Sequence, residues 1–483
     1  MELLLLCLIP IAMAILVFAV EPIKFAGRLV AGAAWVQLAV TLALVHPVLF
    51  GWKESLRPAP EFQIGRLAAA FLVLTAVVIA CALSHAHVFF LRELNGPHPP
   101  GRRHVHVIYA CSLLFLVSMS AVYICDSLGY LWIAVEATTL LSAPLVYYSR
   151  TKNALEATWK YLIICSVGIA FALLGTIFIF AASQHGAIVG GSLRISDLCA
   201  VAPDLEYSLL RLGFIFCFLG YGTKAGMFPL HSWLPDAHSE APAPGSAMLS
   251  GALLNCALFC IWRISQIVVA SRHPLLSFDL NVLAGTATVV AAGLFLIRQH
   301  GLKRLWAYSS IENVGLMLVA IGLGSGPLFF LQAVNHSLAK VALFLLSGNV
   351  IQASGTKALG ELTGIMKVAP VWGVLFAMSA LAVTSVPPFG AFISEWLILA
   401  RSVDCRLWWT AILLIVGLSL GFVAVCMHLG RILLGSPKPG VEPFRPLATS
   451  VIPSLLVLAC LILGLTTSPR FFHVHWASNG FGM

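Results

Sequence analysis

The chain has 483 residues, of which 60% are hydrophobic and only 10% are charged, and its formal net charge is +9. This composition excludes an ordinary soluble globular protein and is typical of a polytopic membrane protein. The basic residues lie in loops between apolar runs, which indicates membrane topology rather than nucleic-acid binding.

Apolar runs of about 20 residues are long enough to cross a bilayer as helices. Their number predicts an all-α polytopic membrane protein with about 14 transmembrane helices. The predicted spans are residues 2–20, 29–50, 67–90, 106–125, 127–149, 159–182, 208–228, 243–266, 279–298, 304–324, 328–352, 368–400, 407–434 and 447–466. The twelfth run is too long for one simple helix, and Pro387-Pro388 divides it.

The distribution of lysine and arginine predicts the orientation. The odd-numbered connections carry more of these residues than the even-numbered connections do. Because short basic loops stay in the cytoplasm, both termini are expected to face away from it.

Two predicted spans are interrupted. In the seventh, Lys224 is followed by Pro229, and in the twelfth, Pro387 and Pro388 precede Glu395. Paired broken spans in corresponding halves are typical of inverted repeats with the transport site at the breaks. We therefore expect flanking helices in residues 1–104, five-helix repeats in 105–266 and 267–435, and a last span with its tail in 436–483.

Charged residues inside apolar runs are expensive in a bilayer and indicate a functional site. Glu136 lies in span five and Lys224 in span seven. Burial lowers the pKa of a lysine in general, while a neighbouring carboxylate raises it. A carboxylate that moves relative to Lys224 would therefore switch proton loading and release. The alternative is a static buried ion pair that specifies helix packing.

Span eleven contributes His336 and Lys340, whose spacing of four places them on one helical face. An imidazole titrates near physiological pH and suits a proton relay. Glu395 is predicted to be the terminal carboxylate of the path, with a helix N-terminal carboxylate stabilised by the dipole as the alternative. Glu312 in span ten is either a pathway residue or a packing group.

A polar cluster follows the first break: His231, Asp236, His238 and Glu240. Asp236 and Glu240 could cap the next helix. Their spacing matches no strong metal signature, and the chain has no Cys-x-x-Cys, so we expect neither a metal site nor a cofactor in this chain. The favoured interpretation is the lining of a half-channel that opens to bulk water.

Several blocks resemble the antiporter-like proton-translocating subunits of NADH:quinone oxidoreductase, cation/proton antiporters and membrane-bound [NiFe] hydrogenases. The blocks are the Glu136 region, Trp159-Lys-Tyr-Leu-Ile163, Gly222 to Gly245, Leu302 to Ser310, Asn335 to Gly348 and Pro387 to Leu399. Three stretches resemble the hydrogenase-4 component F branch: Lys224-Ala-Gly with Asp236 to Pro244, Ser309 to Asn313, and Leu346 to Val350 with Gly355-Thr356.

The resemblance implies fourteen spans, two inverted five-helix repeats and broken helices seven and twelve. It assigns the helix-five glutamate to Glu136 and the three charged relay positions to Lys224, Lys340 and Glu395. Asn255 stands where some relatives carry a lysine, so Lys340 is expected to carry the central role alone. The chain also ends soon after span fourteen, without the long lateral arm of the distal complex I subunit.

The predicted function is proton translocation by a membrane subunit of a redox-driven, hydrogenase-type complex, with no catalytic residue of its own. Implied partners are other membrane subunits and a peripheral hydrogenase-like redox arm, which holds iron–sulfur clusters either with or without a nickel–iron centre. The implied location is a bacterial or archaeal cytoplasmic membrane. The alternative is a cation/proton antiporter or bicarbonate-uptake subunit without a redox partner.

Overall fold

The computed structural model describes residues 2–96, 99–184, 188, 190–436 and 447–467, and helices make up most of them. The first helices are α1 (Glu2–Leu16), α2 (Ile23–Leu49), α3 (Arg66–Leu94), α4 (Arg102–Ile124), α5 (Leu128–Val146), α6 (Lys152–Gln184), α7 (Ile195–Ala200), α8 (Tyr207–Ala225), α9 (Trp233–Glu240) and α10 (Ala243–Met248). The others are α11 (Leu254–Ala270), α12 (Leu275–Leu296), α13 (Leu302–Gly322), α14 (Gly326–Ser354), α15 (Ile365–Val368), α16 (Pro370–Val383), α17 (Gly390–Asp404), α18 (Trp408–Leu434) and α19 (Leu447–Thr466).

In the described part of the chain, eleven helices are long and apolar enough to cross a membrane, counting residues 243–270 as one. The prediction of a polytopic helical membrane protein is confirmed. The other predicted spans fall on α1, on α8, and on α16 with α17, none of which is among these eleven helices. The total of fourteen crossings stays a prediction.

The sequence analysis missed a β-hairpin between α2 and α3. Strand β1 (Ser55–Ala59) pairs antiparallel with β2 (Phe62–Gly65), so the expectation of an all-α chain is wrong in this detail. Isolated bridges join Phe62 to Cys125 and Ser127 to Arg194. These contacts gather several connections at one end of the bundle, called here the hairpin face.

The opposite end carries the connections rich in lysine and arginine and is called here the basic face. It comprises the ends of α3, α5 and α14 and the starts of α4, α6 and α13. A bridge between Gly301 and Ala358 and a bond from His104 to the Tyr148 carbonyl (2.9 Å) tie these connections together.

Close helix packing depends on glycine. A Cβ on Gly175 in α6 would overlap the backbone of Gly213 in α8, and Gly285 and Gly315 face each other in the same way between α12 and α13. The long buried helices α13 and α14 lie at the centre of the molecule, where almost every side chain is removed from the surface. Lys340 on α14 and Lys224 on α8 are both completely buried in this packing.

Both predicted helix breaks are present, but each helix ends before its proline. Helix α8 ends at Ala225, where Gly226 adopts a left-handed conformation (φ 77°), and cis-Pro229 follows in the connecting turn. Helix α16 ends at Val383, and the cis Pro387-Pro388 bond precedes α17. Glycine takes positive φ at no steric cost, so Gly226 rather than the proline determines where α8 ends.

A π-helical turn, Leu249–Leu253, joins α10 to α11. Such turns accommodate one extra residue and are common at functional sites. Within span eight it displaces the polar residues Ser250 and Asn255 from a regular helical register, which the sequence pattern did not reveal.

Candidate functional site

Lys224 occupies the last turn of α8 and is completely buried. Its ammonium nitrogen donates to Thr139 Oγ1 (2.8 Å) and to the Tyr161 hydroxyl (2.7 Å). Because carbonyl groups at a helix C-terminus carry partial negative charge, this is a favourable place for a cation. The surrounding groups are neutral, so the charge of Lys224 is solvated by hydroxyl oxygen atoms rather than by a carboxylate in direct contact.

Glu136 is half-buried and connects to Lys224 through one hydroxyl group. Thr139 Oγ1 donates to Glu136 Oε2 (3.3 Å) while it accepts from Lys224, and Ser166 Oγ donates to Glu136 Oε1 (2.8 Å). The structure thus brings the predicted pair together, with Thr139 between the two charges. The static ion pair considered as an alternative would require direct contact, which is absent from this part of the described chain.

Lys340 lies in the middle of α14 and is completely buried. Its ammonium group donates to the backbone carbonyl of Trp306 in α13 (2.9 Å) and lies 5.8 Å from the centre of the Trp306 indole ring. Glu312, one to two turns further along α13, is within electrostatic range of Lys340. Both lysines therefore have a carboxylate nearby that does not touch them.

Two buried histidines adjoin Lys340. His336 lies one turn earlier on α14, and His238 on α9 is within electrostatic range of both His336 and Lys340. The His238 ring stacks on Phe344 (ring centres 4.9 Å apart). His336 lies beside the Ser250 backbone in the π-helical turn, so two imidazoles lie between the first helix break and the second lysine.

Glu312 and Glu395 form the far end of this group. Both are buried, at 5% and 9% exposure, and they lie within electrostatic range of each other. Glu395 is the sixth residue of α17, and Ser385 in the second break lies near its side chain. The helix dipole acts mainly within the first turn, so the dipole alternative for Glu395 is weak. Glu312 also joins the buried charges instead of being a remote packing group.

The polar cluster after the first break does not stay together. Asp236 pairs with Arg304 and with Lys160 (3.3 Å), and Glu240 pairs with Lys357 (2.5 Å), all near the basic face. The capping alternative is wrong, because Pro242 precedes α10 and no side chain caps that helix. These two carboxylates therefore lie at the basic face, bound to basic side chains.

The two histidines of this cluster also separate. The ring of His231 packs among aromatic rings, including those of Phe295 (5.5 Å) and Tyr308 (6.0 Å), whereas His238 is completely buried within electrostatic range of Lys340. Among the described residues, no three His, Cys, Asp or Glu side chains converge as metal ligands.

Consecutive residues of α11 face the two halves of the molecule. Asn255 donates to Ser337 Oγ on α14 (2.9 Å) and to the Gly251 carbonyl (3.0 Å). Cys256 is within electrostatic range of Lys224 and donates to the Tyr123 hydroxyl (3.2 Å). Asn255 therefore lies between the two lysines, where an amide can bond but cannot carry a proton.

Sequence reasoning missed a buried hydrogen-bonded chain next to the two carboxylates. Asn335 Nδ2 donates to Ser394 Oγ (3.2 Å), Ser394 donates to Gln332 Oε1 (2.5 Å), and Gln332 Nε2 donates to Asn313 Oδ1 (2.8 Å). Asn313 follows Glu312, and Ser394 precedes Glu395. In the sequence, Asn313 and Ser394 could have been recognised by their position next to the two glutamates. The hydrogen-bonded chain of side chains holds α17 against α13 and α14.

Comparison with known proteins places this arrangement in a family. A family model described as "NADH:quinone oxidoreductase/Mrp antiporter, TM" matches residues 125–421, which include every buried charge described above. The chain belongs to this family. The predicted resemblance to antiporter-like subunits is thereby confirmed.

A relative from Methylacidiphilum infernorum, a "Hydrogenase-4 component F homolog", is 36% identical over 428 residues and covers 87% of this chain and 88% of its own length. The fold matches a chain of the archaeal membrane-bound sulfane sulfur reductase, a respiratory membrane complex, at a TM-score of 0.85 and 22% identity, covering 97% of this chain and 95% of that one. It also matches a chain of the Mrp complex from Dietzia sp. at a TM-score of 0.83 and 20% identity, covering 96% and 94%. These two structural matches show that the chain shares its fold with those two chains.

Proposed function

We propose that this chain is the proton-translocating membrane subunit of a redox-driven, hydrogenase-type complex related to complex I. Protons enter from the basic face and pass along Glu136, Lys224, His336 with Lys340, Glu312 and Glu395. They leave toward the hairpin face, where α17 ends. The chain itself supplies no redox chemistry in this proposal.

One observation carries the proposal. The molecule holds two completely buried ammonium groups, and each has a carboxylate nearby that is not in direct contact with it. Lys224 reaches Glu136 through Thr139, and Lys340 bonds to a backbone carbonyl with Glu312 nearby. A charge buried only for packing is seldom better for stability than apolar residues of the same size. Because the two charges are not in direct contact, the distance between them can change. Such a change would alter the proton affinity of each lysine.

The broken helices support an architecture of repeats. The breaks after α8 and after α16 occur in corresponding predicted spans, one near Lys224 and one before Glu395. In this proposal residues 105–266 and 267–435 are inverted five-helix repeats, residues 1–104 flank them, and 436–483 hold the last span. Lys438 and Arg445, two of the basic residues behind the predicted orientation, lie outside the described residues.

The proposal also assigns an environment. The chain lies in a bacterial or archaeal cytoplasmic membrane, with the basic face in the cytoplasm and both termini on the other side. It associates with further membrane subunits and with a hydrogenase-like redox arm that holds iron–sulfur clusters and a nickel–iron centre.

The test uses the natively purified complex in proteoliposomes. Lys224→Ala and Glu136→Ala should each abolish proton pumping, recorded with an internal pH dye, while the complex still assembles. Asp197→Asn, a carboxylate exposed on the hairpin face beside Arg194, is the control and should pump normally. Normal pumping by either pathway variant would remove that residue from the mechanism.

The likeness to the Mrp complex supports a second candidate, a cation/proton antiporter subunit without a redox partner. The two candidates differ in what drives transport. If purified membranes move protons on addition of a sodium gradient alone, and no redox subunit co-purifies, the antiporter candidate holds and the hydrogenase-type assignment fails.

A further inference from the structure

Glu93 lies outside the predicted pathway and outside both proposed repeats. It is in the last turn of α3, half-buried at the basic face. The Tyr148 hydroxyl donates to its carboxylate, and the Gln352 side chain, which donates to the Phe89 carbonyl (3.2 Å), lies nearby. Glu93 therefore lies where the end of α3 meets the end of α5 and α14.

Lys303, at the start of α13, is the cation nearest to Glu93 in electrostatic terms, although the two side chains form no ion pair. Lys303 Nζ donates to the Ala241 carbonyl (2.6 Å), between α9 and α10, and lies within electrostatic range of Glu93 and Glu240. Lys357 already pairs with Glu240 (2.5 Å). Among the described residues Glu93 forms no ion pair. Of the two carboxylates within electrostatic range of Lys303, Glu93 is therefore the one that no other cation neutralises.

Lys303 connects this carboxylate to the buried lysine site. His238, completely buried on α9, is within electrostatic range of Lys303 on one side and of Lys340 on the other. These pairwise ranges connect the partly buried Glu93 and Lys303 to the completely buried His238 and Lys340. Each of the four groups can bind and release a proton at nitrogen or oxygen.

We propose that Glu93 is the proton-uptake residue for the second half of the molecule, an inference that rests on the proposed function. The Glu93 carboxylate takes a proton from water at the basic face and becomes a carboxylic acid. It then gives this proton through water to the neutral amine of Lys303 and returns to the carboxylate. Glu93 and Lys303 thereby form an outer carboxylate–lysine pair comparable to Glu136 and Lys224.

The test compares variants of the complete complex in proteoliposomes. Glu93→Gln keeps an oxygen that can accept from Tyr148 but cannot take up a proton. We expect it to slow initial proton uptake by about 100-fold, the low end for loss of a positioned proton-transfer group. Glu93→Asp should restore most of the rate. The control is Glu21→Gln, an exposed carboxylate at the same face.

A structural role makes a different prediction, because formic acid, a small diffusible proton donor, cannot repair packing. We expect formic acid to raise proton uptake of the Glu93→Gln complex at least tenfold and to leave the wild type unchanged. A slow variant that neither formic acid nor aspartate rescues would overturn the inference. So would wild-type uptake by Glu93→Gln in a preparation where Lys340→Met abolishes pumping. Normal pumping by Lys340→Met would instead overturn the proposed function.

Discussion

Replacing Thr139 by valine should impair proton transfer between Glu136 and Lys224. The Thr139 hydroxyl accepts from Lys224 at 2.8 Å and donates to Glu136 at 3.3 Å, so one atom joins both charges. Valine has nearly the shape of threonine but lacks the hydroxyl group, so the exchange removes the connection while it keeps the packing volume.

The size of the effect follows from the bonds that are lost. A hydrogen bond to a charged group is worth about 1.5–3 kcal/mol. Since about 1.4 kcal/mol corresponds to a factor of ten, loss of the Lys224 bond alone should slow transfer by roughly 10–100-fold. Tyr161 still holds the ammonium group at 2.7 Å, so we expect the fold to survive.

The assay is the initial rate of redox-driven proton pumping in proteoliposomes, normalised to the amount of assembled complex. Thr139→Ser retains the hydroxyl group and should keep most of the rate. Thr138→Val is the matched control, because the neighbouring hydroxyl bonds only to the Val135 carbonyl of its own helix (2.6 Å). Equal pumping by the Thr139→Val and Thr138→Val complexes would refute a transfer role for the bridging hydroxyl.

Two further substitutions test the described contacts. The buried Asp126 carboxylate pairs with Arg263 (Nη2 to Oδ1, 2.6 Å), and Arg263→Met removes this cation. The loss should lower the free energy of unfolding by about 3–5 kcal/mol. An unchanged thermal midpoint of the complex would contradict this. In α18, the methyl group added by Gly421→Ala would overlap the Glu312 carboxylate, so we expect the free energy of unfolding to fall by about 1–3 kcal/mol and pumping to slow. The control is Gly430→Ala, whose methyl group would face open space and should change neither measurement.

The sequence was sufficient for the helices and for the buried charges. Hydropathy locates long apolar helices because the bilayer fixes their length. Lys224 and Lys340 were recognisable because an isolated charge within such a run has few structural explanations. Both lysines are completely buried, as a charge of this kind requires when it avoids lipid.

The partners of these charges were not predictable in the same way. Tyr161 and Thr139 reach Lys224 from positions 63 and 85 residues away, so their contact depends on how three helices pack. The π-helical turn at Leu249–Leu253 contains no proline to mark it. It changes the direction of every side chain before it by a fraction of a turn, which periodicity within a uniformly apolar run cannot reveal.

The position of Asn255 limits how protons can move between the halves. The amide donates to Ser337 and to the Gly251 carbonyl, and it has no ionisable proton to pass on. A third ammonium group there would add a like charge between Lys224 and Lys340 in a medium of low dielectric constant, where repulsion is strong. In the proposed pathway, a neutral residue at this step means that transfer between the two lysines requires an ionisable neighbour, and we propose His336 beside the π-helical turn for this role.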